Sequence, residues 1–178
     1  PSRGLGDVYK RQCFMSIKEI QKQSLKDKIK SLMNRNKQLD TQLKQTSSEQ
    51  QKEQIEQEKS ANTNELRKSR TQKYELEQVK EDIDYIKRAY LHLRKIGIIK
   101  SQYEYSNQFL NRTNHYFSMI LSEQRQPSID SINTLVQNLI ALKNIYEDYD
   151  NKNTHIRLLE SLIRTGKQIV TQRLLKYL

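Results

Sequence analysis

Leu76-Glu77-Gln78-Val79-Lys80-Glu81-Asp82-Ile83-Asp84-Tyr85-Ile86-Lys87-Arg88-Ala89-Tyr90-Leu91-His92-Leu93 is the stretch on which the fold turns. Its apolar residues Leu76, Val79, Ile83, Ile86, Tyr90 and Leu93 step by three and four. Side chains at that spacing share one face of a helix. Past Gly97 the seam widens, with Ile96, Ile98, Ile99, Tyr103, Tyr105, Phe109, Leu110, Tyr116, Phe117, Met119, Ile120 and Leu121 close together. The chain before this stretch reads as coiled coil and the chain after it as packed helical bundle. The expected fold is all-α: a coiled-coil extension over residues 15–74, then an antiparallel helical bundle over residues 75–178, the start of a helical rod.

Composition agrees with helix nearly throughout. The 178 residues include four glycines, two prolines and no tryptophan, and hydrophobic content is 34%. Few breakers favour helix, and the low apolar share places much of the chain outside a core. A single cysteine, Cys13, excludes an internal disulfide framework and suits a reducing compartment. No run approaches the ~18 apolar residues of a membrane span. The net charge of +11 admits nucleic acid, anionic lipid or an acidic protein as partner without choosing among them.

Residues 1–14 differ in style. Ser2-Arg3-Gly4-Leu5-Gly6-Asp7-Val8-Tyr9-Lys10-Arg11-Gln12 resembles a translated sequencing adapter, with a disordered basic tail as the alternative. Met15 is the expected natural start. After it, Leu25, Ile29, Leu32, Asn36, Leu39 and Leu43 form a heptad seam, expected to pair with the coil of a partner protein. An Asn at such a core position sets register at some cost in stability. Lys18, Lys22, Lys26, Lys28, Lys30, Arg35, Lys37 and Lys44 flank it. They read as the solvated flank of a coil whose partner is acidic; a basic rail for phosphate is the rival reading. No aromatic stands between Met15 and Lys73 to stack a nucleobase.

Between Thr46 and Lys73 only Ile55, Ala61 and Leu66 are apolar. Thr46-Ser47-Ser48-Glu49 and Asn62-Thr63-Asn64-Glu65 each read as a break followed by a capping box. The block is an exposed helix or the connection of a hairpin. Helices are then expected over Glu75–Ile96, Lys100–Gln124, from Ile129 after a stop at Gln126-Pro127-Ser128, and from a cap at Thr154 after a polar turn at Asp148–Asn153. The open apolar end at Leu174-Leu175-Lys176-Tyr177-Leu178 suggests that a longer protein continues.

No residues assemble into a catalytic constellation. His92, His115 and His155 lack metal-type spacing, and Gly97 and Gly166 stand alone rather than in a phosphate loop. The expectation is a non-enzymatic protein with no cofactor and no metal. The tyrosines, at helical spacing, read as core.

Three segments together resemble a known family. They are Tyr85-Ile86-Lys87-Arg88-Ala89-Tyr90-Leu91-His92-Leu93-Arg94-Lys95-Ile96, then Pro127-Ser128-Ile129-Asp130-Ser131-Ile132, then Leu158-Leu159-Glu160-Ser161-Leu162-Ile163. Their order is similar to the opening of the RINT/TIP family of vesicle-tethering subunits, over about Val79 to Leu178. The resemblance implies a subunit of a tethering complex in Golgi-to-ER retrograde traffic. Such a subunit is cytoplasmic and peripheral to ER and Golgi membranes, and pairs through its N-terminal coil with a Zeste-white-ten-like partner. By position that pairing falls to Leu25, Ile29, Leu32, Leu39 and Leu43. Two other classes stay open. One is a basic coiled coil associated with nucleic acid or chromatin; the other is a homodimeric cytoskeletal, ciliary or kinetochore scaffold.

Overall fold

The computed structural model describes residues 5–149 and 154–177, with side chains described for 19–147 and 155–176. Residues 1–4, the turn expected at Asp148–Asn153 beyond Tyr149 and the side-chain cap expected from Thr154 lie outside that range. The fold is all-α, and no strand occurs among the described residues. The helices are α1 (Leu5–Gln45), α2 (Glu49–Lys95), α3 (Gln102–Glu104), α4 (Tyr116–Glu123), α5 (Ile129–Tyr149) and α6 (Thr154–Leu174). A π-helical turn, Tyr105–Phe109, follows α3, and a 3-10 turn, Leu175–Tyr177, follows α6. The chain divides into two compact units, residues 1–78 and 79–178.

The first unit is an antiparallel helical hairpin. Its turn is Thr46-Ser47-Ser48, where the sequence signals a break. Contacts between the helices run in opposite directions along the two: Lys28 meets Glu65, Arg35 meets Glu58 and Asp40 meets Lys59. α1 runs from Leu5. One expectation is corrected here. The break expected at Asn62-Thr63-Asn64-Glu65 is absent, and α2 runs unbroken from Glu49. Asn62 sends its side chain across to α1 instead of capping locally, and Thr63 Oγ1 bonds back to the Lys59 carbonyl at 2.7 Å.

The second unit is built on the end of α2, α5 and α6. α6 runs antiparallel to α2, with Asp82 beside Arg173 and the His92 ring 5.6 Å from the His155 ring. Gly166 of α6 lies against both α2 and α5. A Cβ there would collide with Val136 of α5 and with the Tyr85 hydroxyl of α2. Tyr85, Ile86, Leu93, Leu135, Leu139 and Leu159 are fully buried between them. α2 stops at Gly97, whose φ of +76° suits glycine. The amide of Ile98 then bonds the Leu93 carbonyl, 3.0 Å, and that of Gly97 bonds Arg94, 3.2 Å, a Schellman closure.

The helix expected over Lys100–Gln124 is broken in two. Asn111-Arg112-Thr113-Asn114 has poor helix propensity, and Asn111 sits at φ 48°. Ser106 fixes the break. Its buried hydroxyl donates to the Gln102 carbonyl, 2.9 Å, and accepts from the Phe117 amide, 3.1 Å. The fold-back stacks Tyr90, Tyr105, Phe109 and Phe117, with Tyr105 and Phe117 edge to face at 4.9 Å. Tyr105 Oη closes the layer by donating to the Ile86 carbonyl, 2.8 Å. Ser128 caps α5, accepting from the Ser131 amide at 3.2 Å.

Candidate interaction surface

The seam residues read from the sequence face the chain's own second helix. Leu39 is fully buried and Leu25 nearly so; Ile29, Leu32, Asn36 and Leu43 are half-buried. Opposite them α2 presents Ile55, Lys59, Asn62, Leu66, Ser69, Lys73 and Leu76, at alternating steps of four and three. This is a heptad row, and it escapes sequence reading because more than half its members are polar. Its centre is an amide pair. Asn62 Nδ2 donates to Asn36 Oδ1 at 2.6 Å and to the Leu32 carbonyl at 3.0 Å, while Asn36 Nδ2 reaches Thr63 Oγ1 at 3.4 Å. A buried amide without these partners would be costly, so the pair favours one register.

The basic flank of α1 finds acid on α2. Lys28 pairs with Glu65 at 2.8 Å, Arg35 with Glu58 at 2.6 Å and Lys22 with Glu77 at 3.9 Å. These side chains are a third to a half exposed, so each pair contributes under about 1 kcal/mol. The coil that α1 was expected to meet in another protein is thus present within the same hairpin, because α2 supplies both the heptad row and the acidic flank.

The second unit holds three polar groupings. Asp82, buried, accepts at one oxygen from Gln126 Nε2, 2.8 Å, and Arg173 Nη1, 3.3 Å; Arg173 also donates to the Pro127 carbonyl, 2.6 Å. Burial raises the Asp82 carboxyl above its ordinary range, against the lowering effect of Gln126 and Arg173. Tyr116 Oη accepts from the Ser128 amide, 2.9 Å, beside Ser131 and Arg112. Burial pushes this phenol up, but the bonds from Ser128 and Ser131 and the Arg112 charge together bring it below the ordinary value. His92 Nε2 is buried without a partner, and burial, His155 and Lys95 lower its pKa. Among the described residues no group of three or more His, Cys, Asp or Glu is placed to hold a metal ion. The Asp82 and Tyr116 groupings join helices.

A family model described as a family of unknown function, DUF6626, matches residues 86–175, just over half of the chain. The chain belongs to DUF6626. No curated protein and no solved structure matches it. The DUF6626 segment lies wholly inside the second unit and includes none of the hairpin. It holds the aromatic layer, Gly166 and two of the three members of the Asp82 clamp. The outer surface of the second unit carries an open groove of about 650 Å³ between α2 and α6, lined by Asp84, Arg88 and Leu91 on one side and Thr165, Gln168 and Gln172 on the other. Leu91, Ile145 and Leu158 are about half exposed on this unit. No helix among the described residues is long and apolar enough to cross a membrane.

Proposed function

We propose that the chain is a non-enzymatic, protein-binding subunit of a vesicle-tethering complex of the ER–Golgi retrograde route, engaging a partner subunit through its N-terminal hairpin. The observation that carries this reading is the incomplete closure of the hairpin seam. Ile29, Leu32, Leu43 and Ile55 are not fully buried although each stands at a core position. Two helices leave part of a heptad seam open, and an added helix covers it. The hairpin is also long: α2 from Glu49 to Gln78 alone spans about 45 Å. Such a surface binds by laying helix against helix. The order of helices over Val79–Leu178, similar to that of RINT/TIP subunits, supports the choice of tethering over other helical scaffolds.

The test is affinity capture from the source cells with the full chain as bait. A second bait carries Ile29→Ser, Leu32→Ser and Leu43→Ser, with circular dichroism to establish that its helices persist. Tethering or membrane-fusion subunits held by the first bait and lost from the second are the expected result. Tubulin, axonemal or chromatin proteins in their place would overturn it.

A further inference from the structure

The two long sides of the hairpin differ. One edge is closed by Lys28–Glu65 and Arg35–Glu58, and the other by Lys22–Glu77 and Asp40–Lys59. On a helix of 3.6 residues per turn, Lys26, Lys30, Met33 and Lys37 fall in one stripe of α1, on the side of Lys22 and Asp40. By the same count Arg67 and Arg70 lie on that side of α2. The contact of Arg70 Nη2 with Met33 Sδ, 3.7 Å, joins the two stripes. All five cationic residues are exposed, and Met33 is 41% exposed between them. Beside it lies Ile29, half-buried in the seam. Toward the turn the same side becomes acidic at Glu49, Glu53 and Glu56, so the cationic stretch is bounded.

We propose that this face, centred on Met33 between Lys26, Lys30, Lys37, Arg67 and Arg70, is the docking site for an acidic amphipathic helix of a partner protein. The proposal deepens the hairpin-binding reading above and rests on it. Charge complementarity selects the partner's sign, and the floor selects its form. A helix laid along this face sets apolar residues over Ile29 and Met33 and carboxylates against the cationic side chains, as flanking charges do in coiled coils. A membrane surface would engage several large apolar side chains by insertion, whereas this face offers one. A phosphate backbone would have no use for the apolar floor.

The probe is a labelled helical peptide of about four heptads with Leu at a and d and Glu at e and g. Its binding to the full chain is read by fluorescence anisotropy at near-physiological salt. Lys30→Glu and Arg70→Glu, one on each helix of the face, are each expected to weaken binding by about fivefold. Lys68→Glu, an equal charge change two residues from Arg70 but off the face, should change it by less than about twofold. Circular dichroism establishes that each variant is folded. Equal losses for all three variants would mean bulk charge attraction and overturn the proposal. A loss with Lys30→Glu but not Arg70→Glu would mean that the peptide displaces α2, and also overturns it. So would no peptide binding, with phosphatidylserine vesicles or duplex DNA bound instead. Capture of tethering subunits without peptide binding would sink this face and leave the broader reading standing; peptide binding without such capture would do the reverse.

Discussion

Helix α2 contains two seams of different chemistry. At steps of seven stand Ile55, Asn62, Ser69, Leu76, Ile83 and Tyr90. In the hairpin this row is mixed, and its most buried members are an amide and a hydroxyl, Asn62 and Ser69. In the bundle it is Ile83 and Tyr90, packed with Ile86 and Leu93 among fully buried side chains. One helix therefore serves a seam in which an amide pair stands among buried leucines and a core held by buried apolar area. Directed bonds specify register but contribute only about 1 kcal/mol each. Apolar burial contributes about 1.5–3 kcal/mol per large side chain. The hairpin is specified more than it is stabilised, and the bundle is both.

The sharpest test uses one substitution twice. Leu93 and Leu39 are both fully buried, one in the bundle and one in the hairpin. Leu93→Ala should cost about 3–5 kcal/mol, since a cavity in a multi-helix core cannot collapse. Leu39→Ala should cost about 2 kcal/mol, because a two-helix seam relaxes and admits water. Denaturant unfolding measures both, and hydrogen exchange locates them. Faster exchange confined to residues 19–78 is expected for Leu39→Ala. Equal costs at the two sites would break the contrast.

Next in size is Gly166→Ala. Alanine is the better helix former, yet its methyl would meet the Tyr85 hydroxyl and Val136. Overpacking of this kind costs about 1–3 kcal/mol. Tyr85 Oη is buried and unpartnered, so Tyr85→Phe removes the hydroxyl from the clash together with an unsatisfied group, while Val136 stays in place. The double variant should recover part of the loss in thermal melts. If Tyr85→Phe gives no recovery, the close approach is not what demands glycine there.

What the sequence made legible follows the same division. Leu76, Val79, Ile83, Ile86, Tyr90 and Leu93 announce a helix because every core position is apolar. The α1 seam is legible because five of its six positions are apolar. Its complement on α2 is not, since Lys59, Asn62, Ser69 and Lys73 resemble surface until Asn36 is seen to need an amide. Without that complement the seam looked like half of an intermolecular pair. The fold-back after α3 was equally hidden, because it depends on Ser106 reaching Phe117, eleven residues on.

The amide pair gives the third prediction. Asn36→Leu alone should destabilise the hairpin by about 1–2 kcal/mol, by leaving Asn62 with the Leu32 carbonyl as its only interhelical acceptor. Asn36→Leu with Asn62→Leu should instead stabilise it by about 1 kcal/mol and loosen register. Light scattering should then detect a broader spread of oligomers than for the native chain. A double variant as destabilised as the single would mean that the pair contributes stability rather than specificity.

The smallest effect is expected from Asp82, and it separates the regions by electrostatics. The hairpin's ion pairs are at least a third exposed and should weaken with salt. Asp82 and Arg173 are only 5% and 14% exposed and should be little screened. Burial, the largest influence on Asp82, raises its carboxyl above 3.8 in the folded protein, despite Gln126 and Arg173. A raised folded-state pKa means that folding favours the protonated acid. Stability from this source is complete below pH 3.8 and is lost as pH rises through the folded-state value. Native protein should therefore gain on Asp82→Asn as pH falls across that window, measured as the difference between their unfolding free energies. The trend should survive added salt while the hairpin's stability declines. A difference that runs the other way, growing in favour of the native protein as pH rises, would mean that the Arg173 and Gln126 contacts outweigh burial and that the clamp gains from its charge.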